Sequence, residues 1–168
     1  FRLTESDKKM GAGNWAVWRS FVDEALRVSF SVGKALCFLH VTNKYLCTFV
    51  LPRGPSMLPT LNLTGDIVLF ERISHRYGKL NRGDVVIFRS PLNPNLEVTK
   101  RVVAFEGDVV DEEGNVTIPK DHVWVLGDNH EVSRDSRTYG AIPYGLLLGR
   151  AVWKVWPPGE FGRLSPSK

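Results

Sequence analysis

Three segments of this chain carry side chains whose types and spacing could support acyl transfer through an activated hydroxyl. The first is RGPSMLPT, residues 53–60. Ser56 sits between Pro55 and Met57, with Pro59 close behind. Prolines stiffen such a turn and limit helix formation, so it can display a hydroxyl and free backbone N–H groups. It is not a G-x-S-x-G elbow, because position 58 is Leu. The second is VTKRVVAFEGD, residues 98–108. Alternate residues of a strand share a face, which puts Val98, Lys100, Val102 and Ala104 together and Glu97, Thr99, Arg101, Val103 and Phe105 opposite. Lys100 thus lies on an otherwise apolar face, where burial disfavours the ammonium and lowers its pKa. An ordinary lysine, with a pKa of about 10.4, is neutral only about 4 parts in 10,000 at pH 7. A depression of about two to three units makes it a usable base. The third is GDNHEVSRDSRTYGAIP, residues 127–143, in which Asp135 and Arg137 can pair and brace a loop. His130 beside Asp128 invites a Ser-His-Asp reading with Ser56, but nothing else in the sequence positions that imidazole. Taken singly, each segment has an ordinary explanation as a turn serine, an edge lysine or a capped loop.

The elements that must position these groups are short. Asp66–Arg72, Asp84–Arg89, Leu96–Phe105, His122–Leu126 and Gly149–Trp156 read as strands. Pro91, Asn93-Pro94, Gly107, Glu113-Gly-Asn115 and Pro119 punctuate them. The spacing leaves no room for regular crossover helices, so the sheet is expected to be mostly antiparallel. Upstream, residues 1–14 are polar and expected to fray, and Met10 is a candidate native start. Residues 15–29 read as an amphipathic helix, with Trp18, Phe21, Val22, Ala25 and Leu26 at helical spacing. Residues 30–51 form an apolar run long enough to span a bilayer, at roughly 20 residues, though Lys34, His40, Asn43 and Lys44 interrupt it. The run reads either as a transmembrane anchor or as an amphipathic helix packed on the domain or a partner.

Charge divides the same way. Residues 1–53 hold eight Lys/Arg and four Asp/Glu, whereas residues 54–168 hold fourteen of each. A nucleic-acid binder concentrates positive charge on its folded domain, so the neutral C-terminal block argues against that class. Two cysteines, Cys37 and Cys47, are too few for a disulfide scaffold, and the four scattered histidines give no zinc spacing. Neither a P-loop nor a G-x-G-x-x-G motif is present.

In this order, GPSMLPTL, GDIVLFERI, RGDVVIFRSP, KRVVAFEGD and GDN…SRDSRTYG resemble the type I signal peptidase family of membrane-anchored Ser/Lys proteases. The likeness covers about residues 50–156 and leans towards the family's mitochondrial branch. It implies a mainly β, antiparallel signal-peptidase-like domain over residues 52–168. It also implies a transmembrane anchor at 30–51, preceded by the polar segment and amphipathic helix of 1–29. By the same resemblance Ser56 is the nucleophile and Lys100 the general base, with Ser133 orienting the lysine. Asp135 and Arg137 form a supporting ion pair, while Asp128 and Asn129 hold their loop. Met57, Gly54 and Pro55 border the substrate groove and oxyanion site. Some bacterial relatives have a hydroxyl residue two positions before the nucleophile; here Gly54 stands there, so backbone or water must supply that contact. No metal or cofactor is implied. The implied substrates are precursors with N-terminal sorting peptides, cut at the mitochondrial inner membrane by a domain facing the intermembrane space. A second, similar subunit is the implied partner. A bacterial or plastid signal peptidase and a catalytically dead scaffold subunit are the rival readings.

Overall fold

The computed structural model describes residues 5–110 and 116–164. The chain divides into two compact units, 1–42 and 43–168. The first is one continuous helix, α1 (Glu5–Val41). It passes without a break through the expected boundary at residue 29, and it includes residues 5–14, which the polar composition had suggested would fray. No proline interrupts the chain between Glu5 and Leu51. Among its exposed side chains are Trp15, Trp18, Phe21, Leu26, Phe30, Phe38 and Leu39.

The anchor boundary expected at 30–51 needs correcting. The helix gives way at Val41 to a wider π turn, Thr42–Leu46, and then to strand β1 (Cys47–Val50). The last part of the apolar run therefore belongs to the sheet of the second unit. Thr48, Phe49 and Val50 are β-branched or aromatic and suit a pleated surface better than a helix. Among the described residues, no helix is long and apolar enough to cross a membrane. The polar residues Lys34 and His40, within the expected span, hold its hydropathy down.

The second unit adds β2 (Ile67–Glu71), β3 (Val85–Arg89), β4 (Glu97–Phe105), β5 (Val109–Val110), β6 (Val116–Thr117) and β7 (His122–Leu126). After these come the short helix α2 (Ser136–Tyr139), β8 (Ile142–Pro143), β9 (Leu147–Trp156) and β10 (Gly162–Arg163). The main sheet runs β1-β2-β9-β3-β4-β7-β8, with β10 also on β9; β5 and β6 form a separate ribbon. Every ladder is antiparallel. The five expected strands are all present, and the short β1, β5, β6, β8 and β10 are additions. The Asn93-Pro94 loop lies between β3 and β4, while the loop at 113–115 lies outside the described residues.

Strand β3 is buried on both faces, which is why Val85-Val-Ile-Phe88 does not alternate in polarity. Val85 and Ile87 pack with Met57, Leu61, Val68, Phe70 and Ala151. Val86 and Phe88 pack on the other side with Leu80, Val102, Val123, Val125, Ile142 and Leu147. In the β3–β4 hairpin Val86 lies opposite Lys100, and Ile87 opposite Thr99. The hairpin therefore fixes Lys100 on the Val86 face. A register shift between Val102 and Ala104 ends that face. Ala104 packs instead with Ile118 and Trp124, and does not continue the Lys100 face as simple alternation predicts. Strand β7 pairs with β4 only from Arg101 to Phe105. Residues Glu97–Thr99 consequently pair on one side alone, with β3, among the described residues.

Candidate active site

Ser56 lies in a tight 3₁₀ turn, Pro55–Met57, packed against β4. Backbone hydrogen bonds hold the turn from three directions. The Gly54 N–H donates to the Leu63 carbonyl at 3.0 Å, the Leu61 N–H to the Met57 carbonyl at 2.9 Å, and the Asn129 N–H to the Ser56 carbonyl at 3.1 Å. Gly54 adopts φ 110°, a conformation that side chains resist. Met57 is buried and plugs the turn into the core. A cleft of about 390 Å³ opens beside the turn, lined by Gly54, Ser56, Met57 and Leu61 and flanked by residues 50–53 and 96–99.

Lys100 is 2% exposed and makes no hydrogen bond or ion pair among the described residues. Burial pushes its pKa from 10.5 down to about 8; the charges of Asp135 and Asp128 oppose the shift, and Arg137 assists it. A second cavity, of about 400 Å³, borders the same lysine together with Val98, Val132 and Tyr139.

The loop after β7 supplies the rest. The Gly127 N–H donates to Asp135 Oδ2 at 3.0 Å. Asp135 is wholly buried and pairs with Arg137 Nε at 2.9 Å. It also caps α2 through the Arg137 N–H. Burial alone would raise the Asp135 pKa, but the bonds from Arg137 and Gly127 outweigh it and hold the carboxyl at about 2. Arg137 Nη2 also donates to the His130 carbonyl at 2.9 Å, and its Nη1 lies 3.4 Å from His130 Nδ1, so residue 130 serves this brace through both backbone and ring. Asp128 takes two bonds from Arg101, Nε at 2.8 Å and Nη2 at 2.6 Å, and one from the Thr60 hydroxyl. Burial works against its charge, yet Arg101 and Thr60 keep its pKa below the ordinary value.

The Ser133 hydroxyl is buried and makes no well-formed hydrogen bond among the described residues. The bond to Lys100 expected from the resemblance is thus not formed in this structure. The hydroxyl lies against Gly127, beside the Asp135 carboxylate whose ionisation it helps to hold.

All the residues singled out in sequence fall in this region: Gly54, Pro55, Ser56 and Met57 on the turn, Lys100 on β4, and Asp128, Asn129, Ser133, Asp135 and Arg137 on the loop. Sequence reasoning missed Arg101, Thr60 and Gly127. Arg101 was placed on the face away from Lys100, which is correct. That face is also buried here, because Asp128 and Thr60 cover it.

A hydroxyl on a rigid turn, a buried lysine with no ion pair among the described residues and a braced acidic loop can together support acyl transfer through an activated hydroxyl. The sequence profile of the family described as signal peptidase, peptidase S26, matches residues 25–116 and 111–156. The chain belongs to this family. Membership makes it a serine peptidase, a hydrolase. Among similar proteins, a mitochondrial ATP-independent inner membrane protease subunit 1a from Arabidopsis thaliana is 49% identical over 156 residues, covering 88% of this chain and 93% of that protein. A mitochondrial inner membrane protease subunit 1 from Homo sapiens is 41% identical over 138 residues, 78% of this chain and 82% of that protein. A subunit 2 from Danio rerio is 41% identical over 122 residues, 68% of this chain and 67% of that protein.

Gly127 carries a sharp prediction for this S26 peptidase. A Cβ there would collide with the Ser133 side chain and lie 2.6 Å from the Ser56 carbonyl oxygen. The Ser133 hydroxyl can rotate away, but its Cβ, also at 2.6 Å, and the Ser56 backbone oxygen cannot, so the loop after β7 and the Ser56 turn must move apart. A displacement of about 1 Å at a reacting group costs about 10²-fold in rate. Gly127→Ala is expected to lower kcat by about that factor, as steady-state assays on a peptide substrate would register, with a circular dichroism spectrum that still reports the sheet.

Proposed function

We propose that Ser56 is the nucleophile of this peptidase and Lys100 its general base. The observation that carries the reading is a lysine buried without a counter-ion on the strand against which the Ser56 turn packs. Neutral Lys100 takes the Ser56 proton as Oγ attacks the scissile carbonyl carbon. The carbonyl oxygen becomes an oxyanion held by the Ser56 N–H, with backbone or water supplying the contact that Gly54 lacks a hydroxyl to make. The Lys100 ammonium then protonates the departing amine as the C–N bond breaks, leaving an acyl ester on Ser56. Water, deprotonated by Lys100, releases the acid and restores the serine. In this reading Ser133 orients the lysine, hydrogen-bonding to it once substrate excludes water from the cleft. The Asp135–Arg137 and Asp128–Arg101 pairs hold the loop in place, and Asn129 fixes the Ser56 carbonyl.

An extended substrate adds as a further strand along the open edge at Glu97–Thr99, a common way for a sheet to grip a peptide. The substrates are precursor proteins carrying N-terminal sorting peptides. The relatives named as mitochondrial inner membrane protease subunits support that membrane as the location over a bacterial or plastid one. The match to a subunit 2 supports a second, similar chain as partner. The helical N-terminal unit attaches the enzyme to the membrane, ending before β1. Residues 1–29 hold five Lys/Arg and residues 52–71 hold one; within the nearest 20 residues, 10–29, the count is two against one. This bias favours a matrix-facing N-terminus and a catalytic domain in the intermembrane space. An intact Ser56, Lys100 and Ser133 argue against a dead scaffold.

The test is a pH profile of kcat/KM on a sorting-peptide substrate. The active form is the neutral lysine, with a pKa of about 8. Activity should rise with pH, about tenfold per unit below 8, and level off above it. A profile flat from pH 6 to 9 would remove Lys100 as the base.

A further inference from the structure

Among the described residues two lysines are buried, and they are opposites. Lys100 has no hydrogen-bond or ion-pair partner among those residues, whereas Lys154 on β9, 5% exposed, has two. Its Nζ lies 3.0 Å from Asp66 Oδ2 and 2.5 Å from Glu160 Oε2. Burial alone would lower its pKa, but the two carboxylates outweigh that and raise it. Asp66 is wholly buried and takes two further bonds from one residue. The Asn62 backbone N–H donates at 2.8 Å and the Asn62 Nδ2 at 2.9 Å. Asn62 Nδ2 also reaches Glu160 Oε2 at 3.1 Å.

The catalytic reading does not use this network, yet it ends at the catalytic turn. Asn62 stands between Leu61, whose N–H holds the Met57 carbonyl, and Leu63, whose carbonyl holds the Gly54 N–H. Two of the three backbone bonds that fix the Ser56 turn therefore come from the residues either side of Asn62. Lys154 lies opposite Val68 in the β2–β9 ladder, on the face packed against Met57 and Leu61. A buried ion pair is a poor device for stability alone, since apolar residues of similar volume are often as stable. Its use here is directional: a carboxylate fixed by Lys154 grips Asn62 at two points, which an apolar side chain cannot do.

We infer that Lys154 and Asp66 are positioning residues for the Ser56 turn, acting through Asn62 on the residues that hold Gly54 and Met57. The inference rests on Ser56 being the nucleophile. Neither residue touches substrate, so their loss should degrade the alignment of Ser56 more than the binding of peptide. A shift on the order of 1 Å corresponds to about a 10²-fold loss.

The experiment uses the full chain, with Lys154→Met, Lys154→Arg and Asn62→Ala assayed on a sorting-peptide substrate. Lys154→Met is expected to lower kcat by about 10- to 100-fold with KM within about threefold, leaving the pH inflection near 8 in place. Lys154→Arg should recover most of the loss, because it keeps the charge that holds Asp66. Asn62→Ala, a change at a half-buried loop position that also borders the cleft and that the fold should survive, should lower kcat about tenfold with KM within about threefold, even if Lys154→Met does not fold. Folded Lys154→Met or Asn62→Ala with wild-type kcat would overturn the inference, as would a loss that Lys154→Arg fails to recover. If Ser56→Ala remained active, the catalytic reading itself would fall; if Ser56→Ala were dead and these variants normal, only the positioning role would.

Discussion

Ser56→Ala is expected to cut peptide cleavage by about 10⁴-fold or more while leaving the fold and substrate binding intact. The size follows from what the hydroxyl does: without Oγ there is no acyl ester, and only the oxyanion contacts and the grip on the peptide remain. The preserved fold follows from the structure. The turn is held by backbone bonds at Gly54, Met57 and Ser56, none of which involves the side chain. The Ser56 hydroxyl has no hydrogen-bond partner among the described residues, so alanine leaves no group orphaned. Steady-state assays with a circular dichroism melt beside them check both halves. A folded Ser56→Ala enzyme with more than a few per cent of wild-type turnover would exclude Ser56 as nucleophile.

Lys100→Met is expected to do two things that rarely accompany each other: abolish activity and raise stability. Activity falls because the proton acceptor is gone, by a factor comparable to loss of the nucleophile itself. Stability rises because the fold holds this lysine at a cost. Its pKa is 10.5 in the open chain and about 8 in the folded one. Between those values the unfolded chain binds a proton that the folded chain has released, so stability from this group increases as pH rises from 8 to 10.5. Below pH 8 the full penalty applies, on the order of 3 kcal/mol from the size of the shift. Methionine matches the length of the stem and carries no charge to desolvate. At pH 7 the variant should melt several degrees above the parent, and the gap should close as pH approaches 10.5. A lower melting temperature for Lys100→Met at neutral pH would mean that the lysine is not held against its charge.

What the sequence disclosed, and what it concealed, divides by range. Ser56 between prolines and Lys100 on a run of small apolar residues were legible because their neighbours in the chain create their surroundings. The strands His122–Leu126 and Val85–Arg89 were legible because each is a dense β-branched or aromatic run with a turn at each end. Strand β1 was hidden inside an apolar stretch; Cys47–Val50 becomes a strand because β2 lies beside it, with Phe49 opposite Leu69. The register shift after Val102 was invisible because alternation assumes an unbroken ladder. The Thr60–Asp128–Arg101 cluster joins residues 41 and 68 apart from Thr60, and the Asp66–Lys154 pair spans β2 and β9. Such contacts exist only after the sheet closes. The Asp135–Arg137 pair, two residues apart, was foreseeable for the opposite reason.

The central claim is that Lys100 activates Ser56 in its neutral form. The most direct measurement is covalent: react the full-length protein with a serine-directed acylating reagent across pH 6 to 10, and locate the adduct by mass spectrometry. The account predicts a single modified residue, Ser56, acylated at a rate that climbs through an inflection near pH 8, and a rate at least about 10³-fold lower at every pH in Lys100→Met. Acylation of Ser133 or another residue instead, or labelling of Ser56 at an undiminished rate in Lys100→Met, would contradict it.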